Sequence, residues 1–116
     1  MADLKKYVLG IREDLENIYN ESWTDDEREE REEQGEACDL WEYLEDVLDV
    51  EYILDSRFNL IGCKVYATLG GPSVHIDTYH NSIVGYWGSD REEIYIDRGI
   101  SDAINDYYEE LIRCQF

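Results

Sequence analysis

Along the first twenty residues the apolar positions Leu4, Val8, Ile11, Leu15, Ile18 and Tyr19 recur at intervals mostly of three and four. That is the stripe of an amphipathic helix, here from about Asp3 to Asn20. Gly10 weakens it locally. Thr24 followed by Glu27 is a capping-box pattern that opens a second helix through Glu33, closed near Gly35. This second segment has almost no apolar face, so it reads as a solvated helix or a mobile arm. Asp39 with Glu42 repeats the cap-like pattern ahead of Leu40, Trp41, Tyr43, Leu44, Val47 and Leu48, a third helix with a side able to pack on a core.

From Val50 the pattern changes to β-branched and aromatic runs separated by turn residues. It predicts strands over 50–54, 60–69, 74–79, 83–87 and 93–97. The connectors Ser56 to Asn59, Gly70 to Ser73 and His80 to Ser82 are short enough for antiparallel neighbours. Period-two alternation puts Ile61, Cys63, Val65, Ala67 and Leu69 on a core face with Val74, Ile76 and Thr78. Tyr66, His75, Asp77 and Tyr79 then point outward, joined by Tyr86 or Trp87 and by Tyr95 according to register. A last helical stripe, Ile100, Ile104, Tyr107, Tyr108, Leu111 and Ile112, follows a cap at Ser101 or Asp102. The expected fold class is α+β: N-terminal helices, an antiparallel meander sheet of four or five strands, and a C-terminal helix packed on the sheet. The organisation expected is a single domain over 1–116, with an acidic helical part (1–49), the sheet (50–98) and the C-terminal helix (99–116).

Composition changes the functional picture more than the fold. The chain has 29 Asp plus Glu against 10 Lys plus Arg, a formal charge of -19. Phosphate binding is driven by basic side chains that release counterions, so nucleic acid is not expected as a direct partner. At 43% hydrophobic residues, with ten Tyr and three Trp, the chain can still build a core. No apolar run approaches the roughly 20 residues that span a bilayer, the stretch Met1 to Lys6 lacks signal-peptide character, and an anionic surface is repelled by acidic lipid. Cys38, Cys63 and Cys114 show no CxxC spacing and read as buried thiols of a reducing compartment. Cytoplasmic localisation is the expectation.

The charge is uneven. The first fifty residues hold 18 of the 29 acids and five of the ten bases. Asp25, Asp26, Glu27, Glu29, Glu30, Glu32, Glu33 and Glu36 share twelve positions with only Arg28 and Arg31. Like charges at i, i+4 destabilise a helix, so this density works against local stability. One reading is polyanion mimicry, in which carboxylates roughly 5 to 6 Å apart present a row of charge resembling a phosphate strand to a cationic groove. The plainer reading is a solvated face that favours solubility. Weak divalent-cation binding is a third, but no EF-hand loop pattern is present.

Other chemistry finds less support. His75 and Asp77 share a strand face and could orient each other for acid–base work, yet no activated nucleophile accompanies them. Ser89 is not in a GxSxG elbow, and His75, His80 and the cysteines match no zinc spacing. Gly70-Gly71-Pro72 lacks the Gly-Lys-Ser/Thr of a phosphate loop and reads as a hairpin turn. No cofactor, metal or catalytic residue is expected. Trp41 and Trp87 read as structural, while part of the tyrosine surplus is available to a partner as large, stiff contact area.

The stretch from Thr68 to Thr78, TLGGPSVHIDT, followed by GYWGSD from Gly85 to Asp90, resembles a recurring core of small acidic proteins of bacteria and their mobile elements. It spans about Tyr52 to Tyr95 and implies no active site. In size and charge the whole chain is similar to phage anti-restriction DNA mimics and small anti-CRISPR proteins, a likeness of class that transfers no residue. It implies a non-enzymatic inhibitor, cytoplasmic in a bacterial host, that binds the cationic nucleic-acid groove of a CRISPR or restriction nuclease. The expected contacts are the eight acids from Asp25 to Glu36 together with Tyr66, His75, Asp77, Tyr79 and Tyr95; the protein would act as monomer or homodimer. The alternatives are an immunity or antitoxin protein against a basic toxin, and a small enzyme using the His75 and Asp77 face.

Overall fold

A computed structural model describes residues 2–70 and 72–115. Three helices, α1 (Ala2–Asn20), α2 (Asp25–Glu33) and α3 (Leu40–Glu45), precede five strands, β1 (Asp49–Leu54), β2 (Leu60–Thr68), β3 (Ser73–Asp77), β4 (Ser82–Trp87) and β5 (Asp90–Tyr95), and helix α4 (Arg98–Gln115) closes the chain. The strands pair in sequence order, all antiparallel, so the fold is α+β with a meander sheet.

The core follows from alternation. Val50, Val65, Ile76, Ile83 and Ile94 stand side by side across the five strands and face the helices. Against them pack Leu4, Val8 and Leu15 of α1, Leu44 of α3, and Ile100, Ile104 and Tyr108 of α4. Gly85 lets α1 sit close to the sheet: a Cβ there would meet Val8 Cγ2 at 2.7 Å and Leu4 Cδ1 at 3.0 Å. Behind β2, the buried Thr78 hydroxyl accepts the Cys63 amide at 2.8 Å and donates to Asn105 Oδ1 of α4 at 2.7 Å. That satisfies polar groups whose burial would otherwise be costly.

Several boundaries depart from the periodicity. Ile61 and Leu69, expected on the core face, are exposed. Register shifts explain both, one between Ile53 and Leu54 opposite Ile61, the other between Tyr66 and Thr68, which sets Thr68 against Val74 and turns Leu69 outward. β3 ends at Asp77 and not at Tyr79, because the Asp77 carboxylate accepts the Tyr79 and His80 amides at 3.0 and 3.1 Å and folds the chain into a turn. β5 begins at Asp90, three residues early, since Gly88 (φ 63°) and Ser89 alone make the turn between Trp87 and its partner Asp90. The start of α4 is fixed by Asp97, whose carboxylate accepts the Gly99 amide at 2.7 Å; the expected cap Ser101 is buried within the helix. α3 stops before Val47 and Leu48, and Leu48 is exposed. Gly71, expected in the β2–β3 turn, lies outside the described residues.

Among the described residues, no helix is long and apolar enough to cross a membrane. Cys38 and Cys63 are buried free thiols, whereas Cys114, read as buried, is exposed.

Candidate partner-binding surfaces

The acidic segment is an ordered helix. Thr24 caps α2 by accepting the Glu27 amide at 3.2 Å, and the chain leaves through Gln34 and Gly35, the latter at φ 75°. No residue of α2 is buried, and Asp25, Asp26, Glu27, Glu29, Glu30, Glu32, Glu33 and the following Glu36 are all exposed. Its attachment runs through one cation. The Arg31 guanidinium lies 4.0 Å over the Trp23 ring, donates to the Ala37 carbonyl at 3.2 and 2.9 Å, and pairs with Glu36 at 3.0 Å and Asp14 of α1 at 3.8 Å. The Cys38 thiol adds a weak bond to the Arg28 carbonyl at 3.5 Å. Arg31 is thereby turned inward, and the carboxylates of α2 face solvent.

A second acidic row escaped the sequence reading. On α4, Asp102, Asp106 and Glu110 are exposed at intervals of four, the spacing that puts side chains on one helix face. The spacing is present in the sequence, where it alternates with the stronger apolar stripe Ile100, Ile104, Tyr107, Tyr108, Leu111 and Ile112 of the same helix. Exposed Asp39, Glu42, Glu45 and Asp46 extend the anionic surface around α3.

The other face of the sheet carries no helix among the described residues. Tyr66, His75 and Tyr86 form an aromatic row across β2, β3 and β4, with ring centroids 5.3 and 6.4 Å apart. Tyr66 donates to Glu51 at 3.1 Å, and Arg91 donates to the Tyr86 hydroxyl at 3.3 Å. Burial, with Lys64 nearby, pushes the His75 imidazole below its ordinary value, which favours the neutral ring. Tyr86 takes the outward position, while Trp87 faces α1 and meets the Tyr7 ring at 6.0 Å. Tyr95 is the most open of the predicted tyrosines, and Tyr79 is exposed beside His80 in the β3–β4 turn. Trp41, read as structural, is 58% exposed, resting on Tyr107 and donating to Glu45 at 2.6 Å.

Asp77 is not part of that surface. It is buried, and its carboxylate bonds the His80 ring at 2.8 Å as well as the two turn amides. Burial would raise its pKa, but these hydrogen bonds outweigh burial and hold the carboxyl below its ordinary value. The mutual orientation that a shared strand face would allow His75 and Asp77 is not formed, because the carboxylate is engaged by the β3–β4 turn. Burial also pushes the Cys63 thiol up to about 11, which leaves little thiolate to act as a nucleophile. Among the described residues, no three His, Cys, Asp or Glu side chains are grouped to hold a metal ion. Comparison of the chain with family models, curated proteins and solved structures finds no match.

Proposed function

We propose that the protein is a non-enzymatic inhibitor that occupies the cationic nucleic-acid groove of a nuclease, of CRISPR-effector or restriction type, by presenting carboxylates in place of phosphates. The observation that carries this reading is the division of labour in α2. Its acids are all exposed while Arg31 is spent on internal contacts, so the outward face is left with little cationic compensation. A solubility face needs no such inward-turned cation. Complementary potential gives fast association that weakens steeply with salt. The aromatic row on the open sheet face supplies short-range contact area for selecting one partner among basic proteins.

The test titrates the protein into a panel of purified CRISPR effectors and restriction nucleases, each holding labelled DNA. Displacement of DNA from at least one, relieved as salt rises, is the expected result. Charge reversal of the acids from Asp25 to Glu36 should abolish displacement. Displacement that survives the reversal would sink the proposal. An immunity role against a basic nuclease toxin uses the same complementarity and would appear as inhibition of the toxin with no effect on the panel.

A further inference from the structure

A cleft of about 680 Å³ lies where α1, the α1–α2 connection and the end of β4 meet. Trp23, Trp87 and Tyr7 contribute its aromatic surface, and Gly10 and Asp14 line it from α1. Gly10 stands in the interior of a nineteen-residue helix, where glycine is disfavoured against alanine. Packing does not demand it: a Cβ at Gly10 would meet nothing within 4 Å, unlike one at Gly85. The missing side chain instead keeps space open beside the aromatic rings.

The cleft already contains an example of what its wall accepts. Arg31 stacks on Trp23, so the indole face receives a guanidinium plane. Arg31 leaves Asp14 incompletely served, however, because its closer ion pair is with Glu36 at 3.0 Å and its hydrogen bonds go to Ala37, while Asp14 is reached only at 3.8 Å. Burial raises the Asp14 carboxyl above its ordinary value, and Arg31 offsets this only in part. Lys6 and Glu13 also line the cleft. Trp87, half-buried with its ring edge-on to Tyr7 at 6.0 Å, lines the same cleft as Asp14, so a further planar cation entering it would find an aromatic surface and a carboxylate together.

We propose that this cleft is a receptor for an arginine side chain of the basic partner, the guanidinium stacking on the indoles and pairing with Asp14. The inference rests on the functional reading above and deepens it: the acids of α2 draw a basic protein in, and the cleft selects arginine over lysine. Guanidinium is planar and weakly hydrated, so it stacks on an indole with less desolvation than an ammonium.

The experiment uses the full chain, isotopically labelled, with hexa-arginine and hexa-lysine peptides as probes at 0.15 M salt, following the indole N–H signals of Trp23, Trp87 and Trp41. Hexa-arginine should move Trp23 and Trp87 further than hexa-lysine does, while Trp41, outside the cleft and bonded to Glu45, responds alike to both, and hexa-arginine should bind about tenfold tighter than hexa-lysine. Gly10→Phe, which sets a bulky ring into the cleft beside Trp87, should remove that preference while the other resonances stay dispersed. If Gly10→Phe does not fold, Asp14→Asn serves the same purpose and should bring the two peptides closer together. Equal affinity for the two peptides, unmoved Trp23 and Trp87 signals, or a preference that survives both substitutions would each overturn the proposal. Replacing Glu29, Glu30, Glu32 and Glu33 by Gln should weaken both peptides alike. That variant therefore reports on the anionic helix, and the cleft substitutions report on the cleft, so either can fail alone.

Discussion

Helix α4 turns Ile100, Ile104 and Tyr108 into the core and leaves Asp102, Asp106 and Glu110 in solvent, whereas α2 buries nothing and is tied down by the Thr24 cap, the Arg31 contacts and the Cys38 thiol. Both are acidic helices on one small protein. In α4 the charge is what remains after the apolar stripe has been buried. In α2 there is no stripe, and the pairs Asp25/Glu29, Asp26/Glu30 and Glu29/Glu33 place like charges four apart, each costing about 0.2–0.5 kcal/mol. A helix that keeps such pairs owes its sequence to something other than its own stability. The contrast makes α2 the better candidate for a surface shaped by a partner.

The largest expected effect separates the two helices directly. Ile104→Ala empties a fully buried position facing the sheet and should lower unfolding free energy by about 2–5 kcal/mol, measured by urea denaturation. Replacing Glu29, Glu30, Glu32 and Glu33 of α2 by Gln should leave the unfolding free energy unchanged or raise it by up to about 1.5 kcal/mol, as the like-charge pairs are relieved. A large loss in the second variant would mean that α2 has a packing role, and the comparison would fail.

Arg31→Met comes next. It keeps the aliphatic stem and removes the two bonds to Ala37, the Trp23 stacking and the pairs with Glu36 and Asp14. A loss of about 1–3 kcal/mol is expected for charged hydrogen bonds in a part-buried setting. Amide exchange should show where it falls: faster across α2, unchanged across α4. Uniform acceleration would show that Arg31 supports the whole core and not one docked helix.

These contrasts also mark what the chain discloses by itself. Element order was legible because 3.6 and 2.0 periods are strong wherever one face is buried, as at Leu4, Val8 and Leu15 or at Val74 and Ile76. The ends were not, because they depend on single side chains: Asp77 curling the β3–β4 turn, Asp97 starting α4, and bulges that turn Ile61 and Leu69 outward. The exposed acids of α2 could be read directly, since nothing apolar competes for their side of the helix. The inward turn of Arg31 could not, because Trp23, Ala37 and Asp14 reach it from three separate segments. Asp77 was assigned outward by strict alternation, but it lies where the strand stops and its backbone-directed bonds decide its fate.

Asp77 gives the third prediction, with an effect confined by pH. Its carboxyl is held below the ordinary range in the fold, so its contribution is present above the unfolded value, near about 3.9, and is lost as pH falls through the folded value. Asp77→Asn should cost about 1–2 kcal/mol at pH 7, where three hydrogen-bond donors lose a charged acceptor. The gap between the two proteins should narrow as pH is taken below about 4. A gap that stays constant through that range would mean that the carboxylate charge contributes nothing and only the turn geometry matters.

Gly10→Ala has the smallest effect and the opposite sign. α1 runs unbroken through Gly10, and a methyl there meets nothing, so alanine should stabilise the protein by about 0.5–1 kcal/mol through helix propensity and reduced freedom of the unfolded chain. The same change barely narrows the cleft, and arginine preference should persist in it while Gly10→Phe removes it. Urea midpoints and peptide titrations on the two variants therefore give a graded pair. Lost stability in Gly10→Ala would show that glycine serves the helix itself, and the case for space kept open beside Trp87 would lose its footing.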